Sequence, residues 1–124
     1  MTDRSPVVTG LGIIAATGCG VGKMGNAIRS GAIGLKPLTL FSSPRYGQAL
    51  TGEVQGDLVA LGAPARASRS DQLGWLAARE AIGSAEMDFK NRAERSGVVL
   101  GCSVGGSFGS ERFLTTLIKR GKMR

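Results

Sequence analysis

Val7-Val8-Thr9-Gly10-Leu11-Gly12-Ile13-Ile14-Ala15-Ala16, followed by Thr17-Gly18-Cys19-Gly20, is the stretch on which the fold turns. It starts β-branched, just after Pro6, and carries no charge. An uncharged apolar run of this kind reads as a buried strand, here through Ile14. Thr17 to Gly20 then form a glycine turn. Val21, Met24 and Ile28 follow at helical spacing, and Gly31 supplies a stop. Gly22 and Gly25 each weaken that helix by about 1 kcal/mol relative to alanine, so packing must hold it. Strand, turn and helix in this order open an α/β chain.

Working outward, residues 35 to 67 read as connecting structure, punctuated by Pro37, Pro44 and Pro64. Within them, residues 49–54 have the makings of a short edge strand. Ser68 or Ser70 can cap a helix running from about Asp71 to Ala85, with Asp71 favourably placed in its first turn. Leu73, Leu76, Ala77 and Ala81 form one apolar face; Trp75, Ala78, Ile82 and Ala85 form another. The polar strip is narrow (Gln72, Arg79, Glu80, Glu86), which predicts a helix sandwiched between layers. Gly97 to Cys102 reads as a second buried strand and Gly105-Gly106 as a turn. Ser110 can cap a last helix, with Phe113, Leu114, Leu117 and Ile118 on one face and Gly121 as its stop. Apolar strands joined by helices predict a parallel sheet with right-handed crossovers. Two strands are few, so the sheet reads as unfinished, and its exposed edges favour aggregation.

The 124 residues suffice for one small domain. No apolar run is long enough to span a membrane as a helix. Glycine is in excess, 20 residues against a usual share of about 7%, without a collagen period. Histidine is absent, which removes His-based acid–base chemistry and most zinc sites from these residues. The net charge of +7 points to an acidic partner or a solvated basic face. Six aromatics without a stacking platform argue against nucleic acid. Cys19 and Cys102 are far apart and match no metal motif. Their places at the ends of apolar runs predict buried free thiols in a reducing compartment. Ala16-Thr17-Gly18-Cys19 also resembles a lipoprotein cleavage box. Gly10 and Gly12 interrupt its apolar core, and its basic region is thin.

Four motifs invite chemistry. Gly10-x-Gly12-x-x-Ala15 after a strand fits the dinucleotide pattern. That mechanism needs a helix N-terminus at once and an acid about 20 residues on. Thr17 to Gly20 intervene, and no Asp or Glu lies between Asp3 and Glu53. A P-loop fails because Thr17 and Met24 stand where Gly and Ser or Thr are needed. Ser103 to Gly106 allow a ligand close to the backbone, or simply turn the chain. Arg66 and Arg69 precede a helix start, where the dipole disfavours cations, so they either serve an external anion or lie on a solvated loop.

Together the segments resemble a family. Val7 to Gly12 with Gly18-x-Gly20-Val21 looks like the opening of beta-ketoacyl-acyl-carrier-protein synthases. Leu35 to Leu38 with Phe41, then Gly52-Glu53-Val54, resembles the family's next stretch. Ser70 to Leu73, leading into Ala77 to Ala81, is similar to its central helix. Gly97 to Gly101, ending in Val104-Gly105-Gly106, is similar to its second core strand and turn. Gly25, where the family has a bulky aromatic, and Ser70, where it has Met, depart from the pattern.

The resemblance implies a thiolase-like layered αβαβα fold of which residues 1–124 hold only the first part of the N-terminal half. It implies an acyltransferase that condenses acyl groups with malonyl-carrier protein in fatty-acid or polyketide synthesis. That chemistry uses a cysteine at a buried helix N-terminus and two histidines. Neither Cys19 nor Cys102 stands in the nucleophile's context, so no catalytic residue is assigned, the catalytic segment is expected to be missing, and the chain alone is expected to be inactive. Val104, Gly105 and Gly106 would line the acyl pocket; Arg66, Arg69, Lys122 and Arg124 would dock acidic acyl carrier protein. No metal or cofactor is implied. The whole protein would be a cytoplasmic homodimer or heterodimer with no membrane or nucleic-acid partner. The alternatives are a non-catalytic partner subunit of the chain-length-factor kind and, from another class, a nucleotide-binding α/β module.

Overall fold

A computed structural model describes residues 5–88 and 90–121. These residues hold three α-helices, α1 (Val21–Ser30), α2 (Arg69–Ser84) and α3 (Ser107–Arg120), and a 3-10 helix at Lys90–Arg95. Four strands of two residues each complete the set: β1 (Ile14–Ala15), β2 (Gly18–Cys19), β3 (Lys36–Pro37) and β4 (Leu50–Thr51). The fold is α/β, but the expected parallel sheet is not formed among the described residues. β1 pairs antiparallel with β2 (Ile14 with Cys19, Ala15 with Gly18) and β3 antiparallel with β4 (Lys36 with Thr51, Pro37 with Leu50).

Two compact units share the chain. The first comprises Met1–Asp57 and Leu76–Met87, the second Leu58–Trp75 and Asp88–Arg124. In the first, the glycine turn closes as a tight hairpin, and the expected strand shrinks to Ile14–Ala15. Val7 and Val8 are exposed instead of buried, because among the described residues the segment has a helix on one side and no neighbouring strand on the other. α1 stops at Gly31, whose left-handed φ of 66° lets its N–H reach back to the helix carbonyls. The edge strand expected within residues 49–54 is β4.

In the second unit, Leu58 and Ala63 are buried, closed into a turn by the Ala63 N–H donating to the Leu58 carbonyl at 2.9 Å. Of the two candidate caps, Ser68 starts α2: its Oγ accepts from the Asp71 N–H at 3.2 Å and donates to the Asp71 carboxylate at 2.7 Å. α2, which belongs to the second unit up to Trp75 and to the first from Leu76 on, is not sandwiched as expected. Leu76 is its one buried residue, and Trp75 and Ile82 are exposed, since neither apolar face meets a sheet.

The second expected strand, Gly97 to Cys102, has no regular structure, and Val99 is fully exposed. A strand needs a ladder to be stable, and no partner lies beside this one among the described residues. Cys102 is consequently exposed and Cys19 half-buried, both free, where buried thiols were expected. α3 begins at Ser107 after a left-handed Gly106, three residues before the expected Ser110 cap, and it ends at Gly121 as the sequence predicts.

Candidate functional site

The best-defined polar constellation lies in the first unit, where the glycine segment meets α2. A Cβ at Gly10 would stand 2.1 Å from the Ala81 carbonyl oxygen, and one at Gly12 would stand 1.9 Å from that of Ala77. The two glycines therefore serve close approach of backbone to helix. Ser84 Oγ accepts from the Leu11 N–H at 3.0 Å and donates to the Leu11 carbonyl at 3.1 Å. One helical turn earlier, the Glu80 carboxylate accepts from the Ile13 N–H (2.9 Å) and from the Val21 N–H (2.7 Å).

Val21 is the first residue of α1, so Glu80 places a negative charge at that helix's positive end. These bonds, the one from Ile13 first, hold the Glu80 carboxyl below its ordinary value of 4.5 against the opposing effect of burial. The dinucleotide pattern of Gly10, Gly12 and Ala15 thus leads to a helix N-terminus that already holds an internal carboxylate. A groove of about 450 Å³ runs beside this joint, lined by Val8 to Leu11, Val21, Glu80 and Ser84.

A second carboxylate organises the excursion between β3 and β4. Glu53 is buried and accepts from the Thr39 hydroxyl (2.6 Å), the Thr39 N–H (3.0 Å) and the Leu40 N–H (3.2 Å). The Thr39 hydroxyl bond is the largest cause of its lowered pKa; burial opposes it. Above Glu53 lies an apolar groove of about 430 Å³ lined by Leu38, Leu40, Phe41 and Tyr46 among others. Sequence reading placed Glu80 on a polar strip and passed over Glu53 as a site. Neither had a local signal: the amides bound by Glu80 lie 67 and 59 positions away, and those bound by Glu53 lie 14 and 13 positions away.

The described residues among those assigned to the acyl pocket and to docking lie elsewhere, in the second unit. Val104, Gly105 and Gly106 form the turn into α3, with Val104 exposed. A Cβ at Gly105 would stand 3.1 Å from Cys102 Sγ, so the turn folds over that exposed thiol. Arg66 sits exposed in the Ala65–Ala67 turn just before α2. Gln72 Nε2 and the Ala67 N–H pin this turn by donating to the Pro64 carbonyl at 3.0 and 3.2 Å. Arg69 is the first residue of α2 and half-buried. Arg66 and Arg69 thus flank the Ser68 cap. Lys122 and Arg124 lie outside the described residues. Among the described residues no cluster could hold a metal ion, and no helix is long and apolar enough to cross a membrane.

No family model matches the chain, and no solved structure matches it significantly. Curated proteins do, and those matched are named as ketoacyl or oxoacyl synthases. The tetracenomycin polyketide synthase ketoacyl synthase alpha subunit of Streptomyces glaucescens is 30% identical over 89% of this chain and 27% of its own length. The 3-oxoacyl-acyl-carrier-protein synthase 2 of Coxiella burnetii is 29% identical over 98% of this chain and 30% of its own. A polyketide beta-ketoacyl synthase of Streptomyces cyaneus is 31% identical over 96% and 29%. The chain is a relative of the beta-ketoacyl synthases of fatty-acid and polyketide synthesis. It spans between 27% and 30% of the length of these proteins.

Proposed function

We propose that the chain is the opening segment of a beta-ketoacyl-acyl-carrier-protein synthase with a thiolase-like layered fold. The whole protein would catalyse decarboxylative condensation of acyl groups with malonyl-carrier protein. The observation that carries this reading is near-complete coverage of this chain against less than a third of each relative. The absence of histidine from all 124 residues supports a division of labour in which the chain contributes framework and the condensing chemistry lies outside it.

The expected result is that the chain alone releases no carbon dioxide from malonyl-carrier protein above the no-enzyme control. Turnover that Cys102→Ala abolishes would show that the exposed thiol is a nucleophile and would overturn the division.

Within this reading, Arg66 and Arg69 help dock the acidic carrier protein, and Val104, Gly105 and Gly106 form part of the acyl pocket. The pinned turn supports the docking role by holding Arg66 outward before the α2 cap. Such rim charges act mainly on association and are screened by salt. Arg66→Glu is expected to slow carrier-protein association about five- to tenfold at low ionic strength, with the difference collapsing near 1 M salt. Charge reversal at Lys36, exposed in the other unit, should change it little. Equal effects from the two reversals, read by stopped-flow binding, would reduce the arginines to a solvated face.

A further inference from the structure

Met24 and Met87 are the two methionines among the described residues, and each accepts a threonine hydroxyl at its sulfur. Thr17 Oγ1 stands 3.2 Å from Met24 Sδ, and Thr9 Oγ1 stands 3.7 Å from Met87 Sδ. All four residues belong to the first unit. The two pairs differ in setting. Thr9 is exposed and its bond is long, whereas Thr17 and Met24 are both half-buried and closer together.

Thr17 lies in the turn between β1 and β2, and Met24 lies at the start of α1. The Met24 N–H donates to the Gly20 carbonyl at 3.1 Å, and the Gly20 N–H donates to the Ile13 carbonyl at 2.9 Å. Hydroxyl and sulfur are thus carried on one hydrogen-bonded frame. Gly34 also lies against the turn, where a Cβ would stand 2.8 Å from the Ala16 carbonyl carbon and from the Thr17 nitrogen. These contacts leave the turn little room to shift. A thioether sulfur has two lone pairs and accepts weakly. The Thr17 hydroxyl occupies one of them, and among the described residues no second donor meets Met24 Sδ. An oxidant adds oxygen at a lone pair and makes the sulfur a chiral, polar sulfoxide. On the Thr17 side an O–H···O bond alone would take about 2.7 Å. The 3.2 Å between hydroxyl and sulfur leaves no space for an S–O bond in line with it.

We propose that Met24 is a reversible, stereoselective oxidation site, at which a hydroperoxide converts the thioether to one sulfoxide epimer and loosens the hold of α1 on the hairpin. The sulfur lone pair that faces away from Thr17 attacks one peroxide oxygen, and the O–O bond breaks. The other oxygen leaves with the proton as water, or as an alcohol from an organic hydroperoxide. Sulfur is oxidised by two electrons and the peroxide is reduced by two. The oxidised sulfur is electron-poor, so the Thr17 hydroxyl loses its acceptor while a new polar oxygen enters a half-buried place. A methionine sulfoxide reductase of the matching epimer class restores the thioether.

Brief treatment of the whole chain with hydrogen peroxide, once folded and once in urea, tests this. Tryptic cleavage after Lys23 and Arg29 then isolates Met24 in a short peptide whose sulfoxide diastereomers separate by chromatography. Each is assigned by the reductase that removes it. The folded chain should give one epimer at Met24 in at least about threefold excess, against near equality in urea and at the looser Met87. Thr17→Val should bring Met24 to equality, and Thr17→Ser, which keeps the hydroxyl, should retain the excess. Oxidation should lower the Tm of the first unit by about 2–6 °C, and one of the two reductases should restore it. Met24→Leu, oxidised alike, should fall short of that drop. Equal epimers in the folded wild type overturn the proposal, and that comparison needs no variant to fold. An excess that survives Thr17→Val overturns it too, as does a Tm indifferent to Met24 oxidation. A Met24 left intact while Met87 is fully converted would show the sulfur closed to peroxide and would equally overturn it.

Discussion

Gly12→Val is expected to detach residues 9–13 from α2 and to abolish the cooperative melting of the first unit. A Cβ at this position would meet the Ala77 carbonyl oxygen at 1.9 Å, with the Ala81 nitrogen at 2.7 Å. Both are helix backbone, so no side chain can swing away to make room. Relief requires the segment to lift off by more than an ångström, which also breaks the flanking bonds of Leu11 to Ser84 and Ile13 to Glu80. The cost is about 3 kcal/mol or more, at or beyond the upper end for overpacking. Gly74→Ala is the opposite case within α2. Nothing lies within 4 Å of the Cβ it would add, so the gain in helix propensity should stabilise by about 0.5–1 kcal/mol. Thermal melts of the two variants beside wild type measure both. A Gly12→Val protein with wild-type Tm would show that the close approach is not a feature of the molecule in solution.

That contrast explains what could be read from the residues. Helices were legible because their signals are local. Val21, Met24 and Ile28 mark α1, Ser68 and Asp71 mark the start of α2, and Gly31 and Gly121 mark two ends. The ketoacyl-synthase resemblance was legible because ordered short motifs survive at about 30% identity. Strands were not, because a strand is defined by its neighbours. Val7 to Ile14 and Gly97 to Cys102 carry the composition of buried parallel strands, but among the described residues only Ile14 of the first enters a ladder, with Cys19, and nothing of the second does. The same non-locality hid the polar joint. Glu80 lies 67 positions from Ile13 and 59 from Val21, and nothing in its own neighbourhood announces that it caps a helix so distant in sequence. Gly10-x-Gly12 fits the dinucleotide pattern by its spacing, and what lies against these two glycines is the backbone of α2.

Glu80→Gln should lower the Tm of the first unit by several degrees at neutral pH and flatten its loss of stability in acid. A glutamine keeps one acceptor oxygen but turns an NH₂ group towards the other amide, so either Ile13 or Val21 loses its partner. It also removes the negative charge at the start of α1, where no acidic residue in the first turn can replace it. The pH dependence follows from the lowered carboxyl pKa. A group that is more acidic folded than unfolded contributes its full stabilisation above the ordinary value of 4.5. That contribution is lost as pH falls through the lowered folded value. Wild type should therefore hold a level Tm from neutral pH down to about 4.5 and fall below it, because the unfolded chain then binds more protons. Glu53 titrates in the same sense, so Glu80→Gln should soften the acid limb and Glu53→Gln with Glu80→Gln should nearly remove it. Glu111→Gln, exposed on α3, should leave both Tm and limb unchanged. Calorimetry from pH 3 to 7 distinguishes these curves. If Glu80→Gln keeps the wild-type Tm and the wild-type acid limb, the carboxylate does not hold the two amides, and the joint between the glycine segment and α1 rests on backbone packing alone.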